Sequence, residues 1–221
     1  MIAIGIPTVN LWQYLEQTID SIKTKHEYKL LLVDNHSIDG TREKIEQYPC
    51  DHILNDTNVG VSKSWNQIIS WGLAHDDCDI VFMLNNDIVL KEITIDNMVA
   101  TILEEGKEAV SGLNIGSKPE MLEFFTCSED RYNTAMNFSC FGLTRPAITR
   151  VGLFDEGFQL AYYEDNDYHH RMKLEEVDGV CDMWAPFTHY GSRTIKEGGV
   201  DHTRAFKHNQ GYFLNKWGYL P

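Results

Sequence analysis

The chain has 221 residues, 43% of them hydrophobic and 24% charged, which supplies a core for one domain and excludes wholesale disorder. Its 19 basic and 33 acidic residues leave a net charge of −14, which argues against a general binder of nucleic-acid backbone, since that needs a basic field over one face. No uncharged run approaches the roughly 20 residues of a membrane helix, and residues 1–7 lack the basic start and apolar length of a signal peptide.

Residues 2–6 read as a strand, ended by Pro7 and Thr8. Leu11, Leu15, Thr18, Ile19 and Ile22 recur at helical spacing, so one helix face is buried. Residues 29–33 are a continuous apolar run, the kind covered on both faces of a parallel sheet, and they lead into a loop from Asp34 to Gly40. Thr41 starts a short helix to about Tyr48, residues 52–54 form a third strand, and Asn58-Val59-Gly60 turns the chain. Val61, Trp65, Ile68, Ile69 and Gly72 share a helical stripe, and residues 80–84 form a fourth strand before the polar cluster Asn85-Asn86-Asp87.

The second half is less regular. It predicts a helix near 95–104, a strand around 109–113, an aperiodic loop excursion at 114–132 and a strand at 138–143. A short helix at 146–151, a helix at 163–176, a strand at 180–184 and a final helix at 203–217 follow. No linker or repeat divides the chain, so residues 1–221 make a single α/β domain with a mostly parallel sheet flanked by helices. Ligands of such sheets bind at the carboxyl ends of strands, where three polar clusters fall: Pro7-Thr8, Asp34 to Gly40, and Asn85 to Asp87. Cys50, Cys78, Cys127, Cys140 and Cys181, odd in number and without a C-x-x-C, read as free thiols of a cytoplasmic protein.

Asp87, at the end of a buried strand, suits a hard divalent cation, although alone it reads equally as a turn residue. Asp155, Glu156, Glu164, Asp165 and Asp167 form an acidic cluster. Carboxylates favour a helix start, but the aromatic residues around these are unusual for a merely solvated face. The segment His189-Tyr190-Gly191-Ser192-Arg193 follows a predicted strand, and a lone histidine there is more often structural than a ligand.

Together these segments resemble the family-2 glycosyltransferases, nucleotide-sugar-dependent enzymes of the GT-A fold. The resemblance covers nearly the whole chain, with its parts in the family's order. Pro7-Thr8 is similar to the family's opening, Val33 to Thr41 to its nucleotide-recognition segment, and Asn58-Val59-Gly60 to the following turn. Leu84-Asn85-Asn86-Asp87 resembles its metal motif, Phe154-Asp155-Glu156 through Glu164-Asp165 to Arg171 its acceptor-side motif, and His189-x-Gly191-Ser192 its late histidine.

The resemblance implies a Rossmann-like GT-A domain with a nucleotide-sugar-binding half at 1–90 and an acceptor-binding half at 91–221. It implies a donor site built from Pro7, Thr8, Asn10, Asp34, Asn35, Ser37, Asp39, Asn58, Gly60, Asn66, Asn85 and Asn86. Mn2+ or Mg2+ would be held by Asp87 and His189, and Asp165 would be the catalytic base, with Glu164 its rival. The chain departs from the family at Asn85, where Asp is frequent; one carboxylate fewer implies weaker metal affinity, with His189 and the substrate diphosphate supplying the rest.

These roles make chemical sense. A cation neutralises the departing nucleotide diphosphate as the bond at sugar C1 breaks, which reconciles an acidic chain with a phosphate ligand. Asp34 suits hydrogen bonds from a base such as uracil, and Asp39 a ribose or a loop turn. Asp165 would take the acceptor proton during in-line attack, inverting C1, and its helix start and the metal would keep its pKa low. Arg171 pairs with the acidic cluster or reaches a phosphate, and Trp65 and Trp71 read as core. Tyr162, Tyr163 and Trp184 suit stacking on a sugar face. Phe206, Asn209, Phe213 and Trp217 keep helical spacing, for a helix packed across the site mouth or lying on a membrane surface.

The Q-x-x-R-W segment of the family's processive synthases is absent, so a single transfer is expected, with a UDP-sugar such as UDP-glucose as donor. The acceptor, whether glycan, lipid-linked sugar, protein or modified nucleobase, would be read by residues 114–132 and those after His189. Two other classes stay open. One is a non-catalytic nucleotide-sugar-binding module. The other is a sugar-nucleotide nucleotidyltransferase, which needs a Gly-rich basic loop after the first strand, where this chain has Pro7-Thr8-Val9-Asn10.

Overall fold

The sheet follows from strands that are apolar on both faces. In β1 (Ile2–Thr8), Ile2, Ile4 and Ile6 face one hydrophobic cluster, while Ala3 faces the other. The same alternation runs through β2 (Tyr28–Asp34) and β4 (Ile80–Leu84): Leu32, Ile80, Phe82 and Leu84 join the first cluster, and Leu31, Val33, Val81 and Met83 the second. A computed structural model describes residues 1–116, 130–191 and 203–221. Most of the predicted 114–132 excursion, Cys127, and Ser192-Arg193 with the acceptor-reading stretch after them lie outside the described residues.

Helix α1 (Trp12–Asp20), α2 (Thr41–Gln47) and α4 (Thr94–Leu103) contribute Leu15, Ile19, Ile45, Ile95 and Met98 to the first cluster. Helix α3 (Gly60–Leu73), α5 (Arg145–Val151) and α6 (Glu164–Leu174) contribute Trp65, Ile68, Ile148 and Tyr168 to the second. Gly5 permits the close approach of α3 to β1, because a Cβ there would overlap the Ile68 side chain.

The strand order is β3-β2-β1-β4-β8-β6-β9-β5, with β3 at Asp51–Leu54, β5 at Ile88–Leu90, β6 at Ala109–Asn114, β8 at Cys140–Thr144 and β9 at Gly179–His189; β7 (Tyr132–Asn133) pairs with β9. Strands β1 to β4, β6 and β9 run one way, while β5, β7 and β8 run antiparallel to their neighbours. The chain leaves β1 for β2 and β3 on one side, then crosses back through α3 to β4 on the other. That reversal opens a crevice at the carboxyl ends of β1 and β4.

The predicted elements recur with shifted ends, and two short strands, β5 and β7, have no counterpart in the sequence reading. The largest change is in β9, which runs on to His189 instead of ending near Trp184. Its pairing with β6 jumps from Gly112↔Asp182 to Leu113↔Pro186, an irregularity that interrupts the apolar pattern without ending the strand. Past the irregularity, β9 pairs antiparallel with β5, Ile88 opposite His189. The histidine therefore closes a strand beside Asp87 instead of sitting in a loop. The final helix, α7 (Thr203–Trp217), buries Ala205, Asn209 and Phe213.

Candidate functional site

A cleft of about 430 Å³ occupies the crevice. Pro7, Thr8, Asn35, Asn58, Gly60, Asn85, Asn86, Asp87, Glu164, Asp165 and His189 all line it, so most of the expected site residues converge. Asn10, Asp34, Ser37, Asp39 and Asn66 are not among the lining residues; their polar atoms hold the surrounding loops.

Asn10 and Leu11 both have positive φ, at 58° and 64°, which bends the chain sharply after β1. The bend is tied to the loop after β2. The Asn10 N–H donates to Ser37 Oγ at 2.6 Å, the Ile38 N–H to Asn10 Oδ1 at 2.8 Å, and the Leu11 N–H to Asp39 Oδ2 at 2.7 Å. Burial alone would raise the Asp39 carboxyl, but hydrogen bonds from Thr41 and Leu11 outweigh it and hold the pKa below its ordinary value. Asp34 is fully buried; it accepts from the Ser37 N–H at 3.1 Å and the Arg42 guanidinium at 3.2 Å. Asn35 exchanges hydrogen bonds with Ser64 and accepts from Asn55. Asn66 braces the acidic segment, accepting from the Phe154 N–H at 2.8 Å and donating to Phe154 O and Glu156 Oε1, each at 2.9 Å.

Asp87 and His189 meet in the cleft, with Oδ1 and Nε2 2.9 Å apart. The other ring nitrogen of His189 lies 3.3 Å from Ser139 Oγ, a hydroxyl able to donate or accept and so compatible with either tautomer. Tyr190 N–H donates to Asp87 O at 3.0 Å, and Asn86 Nδ2 donates to Thr8 Oγ1 at 2.7 Å, tying the turn to β9 and β1. Among the described residues no group of three or more His, Cys, Asp or Glu forms a closed cage. One carboxylate and one imidazole fit a divalent cation that completes its shell with substrate phosphate and water, as Mg2+ commonly does.

The acidic cluster divides in two. Asp155 takes Lys216 Nζ at 2.6 Å, the Tyr212 hydroxyl at 3.1 Å and the Gly157 N–H at 2.8 Å. Asp167, fully buried, takes Arg171 Nε at 2.9 Å, Trp217 Nε1 at 2.9 Å and Lys216 Nζ at 2.7 Å. Arg171 thus pairs with the cluster and also donates to Val151 O at 2.7 Å.

Glu164 and Asp165 instead face the cleft. Burial, reinforced by the Asp165 charge, pushes the Glu164 carboxyl well above the ordinary range, and its Oε2 is buried with no hydrogen-bond partner among the described residues. Burial also raises Asp165, against the opposing hydrogen bond from the Asn166 N–H. The low pKa expected from the helix start and the metal together is corrected for the protein alone, where desolvation outweighs the helix terminus; a bound cation would act against it.

These two carboxylates follow a strained turn. Leu160, Tyr162 and Tyr163 have φ of 53°, 83° and 71°, and non-glycine residues held there cost about 1–3 kcal/mol each. Tyr162 lines the cleft. Tyr163 packs on Phe206 and Phe213, while Trp184 stacks beside the Arg131 guanidinium, and neither is a lining residue. Trp65 is core, between Phe141 and Phe154; Trp71 is only half-buried and donates to Asp51. The sequence reading missed Met136, Asn137, Phe138 and Ser139, which carry no local pattern, and Leu160-Ala161, whose place depends on the turn.

Solved structures share this architecture. A mannosyltransferase from Pyrobaculum calidifontis, in complex with GDP-Man and Mn2+, superposes with a TM-score of 0.66 at 17% identity, covering 100% of this chain and 65% of that one. GalNAc-T7 with UDP, GalNAc and Mn2+ superposes with a TM-score of 0.70 at 13% identity, covering 99% and 56%. S. aureus TarS 1–349 in complex with UDP gives 0.65 at 14%, covering 99% and 72%. These likenesses establish the GT-A fold. A galactofuranosyl glycosyltransferase of Leishmania donovani is 36% identical over 74 residues, 34% of this chain but only 17% of that protein's length. Among the described residues no helix is long and apolar enough to cross a membrane. The model of glycosyl transferase family 2 matches residues 3–164, from the first strand through the Asp87 turn to the first carboxylate of α6, and the chain belongs to that family.

Proposed function

We propose that this chain moves one sugar from a nucleotide diphosphate sugar to an acceptor hydroxyl, with inversion at C1. The observation that carries this reading is one cleft lined both by the Asp87–His189 pair and by the carboxylates of Glu164 and Asp165. A divalent cation bound by Asp87 and His189, Mn2+ or Mg2+, would offset the charge of the leaving diphosphate as a Lewis acid. Pro7, Thr8, Asn35, Asn58, Gly60, Asn85 and Asn86 shape the donor side, and Asp34, Ser37, Asp39 and Asn10 keep its loops in place. A UDP-sugar, UDP-glucose first, is the donor we favour.

Asp165 takes the proton of the attacking hydroxyl. Burial raises its pKa in the protein alone and a bound cation would pull it back down, so the carboxylate is ionised and placed to accept the proton as the hydroxyl becomes acidic in the transition state. Glu164 is raised well above its ordinary value and has an unpartnered Oε2. Because it holds its proton more tightly than an ordinary glutamate, it suits donation of a hydrogen bond to a substrate oxygen more than proton abstraction. Tyr162 offers a ring face to the sugar. The described cysteines, all unpaired, support a reducing, cytoplasmic compartment.

The test is thermal stability against UDP, GDP and dTDP and their sugars, each with Mn2+, Mg2+ or EDTA. A ligand at about 100 times its dissociation constant adds about 2.7 kcal/mol. We expect a shift with one nucleotide family that EDTA abolishes and Asp87→Ala weakens. Asp165→Asn should keep the shift and lose transfer by roughly 10²–10⁴-fold. No shift with any nucleotide, or full transfer by Asp165→Asn, overturns the reading or its base, respectively.

A further inference from the structure

We infer that Asn209, on the last helix, is the positioning residue that holds the carboxylate-bearing turn in its working shape; this rests on the reading of Glu164 and Asp165 as the chemical pair. The turn has three non-glycine residues at positive φ, Leu160, Tyr162 and Tyr163, a backbone that needs outside support to persist. Asn209 supplies that support from a fully buried position. Its Oδ1 accepts from the Gln159 N–H at 2.8 Å, and its Nδ2 donates to Gln159 O at 2.8 Å, Ala161 O at 3.0 Å and Tyr162 O at 2.9 Å. One side-chain amide thus takes up the peptide groups that an α-helix or a strand would otherwise satisfy.

Asparagine alone presents both polarities at this reach. Aspartate keeps the acceptor but turns a second oxygen toward the three carbonyls, and leucine keeps the shape without the bonds. Two further contacts hold the turn. Leu160 O accepts from the Val61 N–H of α3 at 2.7 Å, and Phe206 of α7 packs its ring on Tyr162 and Tyr163, with centroids 5.4 and 5.5 Å apart. Because Glu164 follows Tyr163 directly as the first residue of α6, the carboxylates point where the turn aims them. Asn209 touches no cleft-lining side chain through these bonds; it acts on the carboxylates only through the backbone.

The experiment compares wild type, Asn209→Asp and Asn209→Leu by hydrogen exchange and by transfer kinetics, with Phe206→Ala as a variant at a half-exposed ring that should fold in any case. We expect amides 160–165 to lose protection in the Asn209 variants while those of β1 and β4 keep theirs. Transfer kcat should fall about 10²-fold, the effect of roughly an ångström of misplacement, with affinity for the nucleotide without its sugar unchanged. Phe206→Ala should move both readouts the same way by less. Unchanged exchange at the turn overturns the inference, as does a loosened turn with undiminished kcat, or a kcat that falls together with nucleotide affinity. If the Asn209 variants do not fold, unchanged exchange and kcat in Phe206→Ala overturn it instead. A wild type that transfers no sugar removes the proposed function, while the exchange arm still decides whether Asn209 holds the turn.

Discussion

Five carboxylates that look alike in the sequence have different fates because their partners differ. Asp155 and Asp167 meet Lys216, Tyr212, Arg171 and Trp217 and become internal ties. Glu156 meets Asn66. Only Glu164 and Asp165 are left to face the cleft, and both are penalised by burial. That penalty has a sign in stability. The folded state holds the Glu164 proton more tightly than the unfolded chain does, so its contribution favours folding below the ordinary glutamate pKa of 4.5 and is lost as pH rises through the elevated value. At neutral pH the unfolded chain has lost this proton, and the cost of keeping it in the folded state burdens the fold. Glu164→Gln should raise the thermal midpoint at neutral pH by roughly 2–4 °C per kcal/mol relieved, and by little near pH 4. A gain as large in acid as at neutral pH would show that Glu164 is not held protonated.

Among elements, strands β1, β2 and β4 were legible because each is an apolar run with both faces covered along most of its length, and helix α3 because its stripe is long. Strand β5 was not, since Ile88 to Leu90 is too short to show any period. Strand β9 was read short because its irregularity breaks the pattern near Trp184. Helix α7 was legible as a helix, and packing on the acidic segment is the role that tertiary contacts assign it. Burial alone would lower the Lys216 ammonium pKa, but hydrogen bonds and charge from Asp155 and Asp167 reverse the direction and raise it. Lys216→Met keeps an apolar chain of similar length but removes the ammonium that lies over Phe158 and Trp217 and leaves buried Asp167 and part-buried Asp155 short of a cation. We expect a loss of about 1–3 kcal/mol, read from the denaturant midpoint at constant slope. An unchanged midpoint would mean that Tyr212 and Trp217 suffice to anchor α7 and that Arg171 alone balances Asp167.

At the scale of the molecule, the cleft is assembled from segments around residues 7, 35, 60, 86, 138, 162 and 189. Gly60 joins two of them. Its φ is +82°, and a Cβ there would stand 3.0 Å from the Leu160 nitrogen, so glycine lets the start of α3 meet the turn before α6. The cleft gathers Asp87, Glu164 and Asp165, while carboxylates elsewhere pair with Arg42, Arg131, Arg171 and Lys216.

The amino-acid sequence by itself determined the α/β architecture, the order of the main strands, the polar clusters at their ends and the family. Apolar periodicity and turn chemistry are local properties, written within a few residues of where they act. The resemblance paired Asp87 with His189 and singled out Glu164 and Asp165; tertiary structure supplies the means, the β5–β9 pairing across about a hundred residues of chain. Only tertiary structure decided the partners of the other three carboxylates, the upward direction of the Glu164 and Asp165 pKa values, and the hold of Asn209 on the turn that aims them. Desolvation and hydrogen-bond partnership depend on atoms that only the fold brings into contact, and no local pattern encodes them.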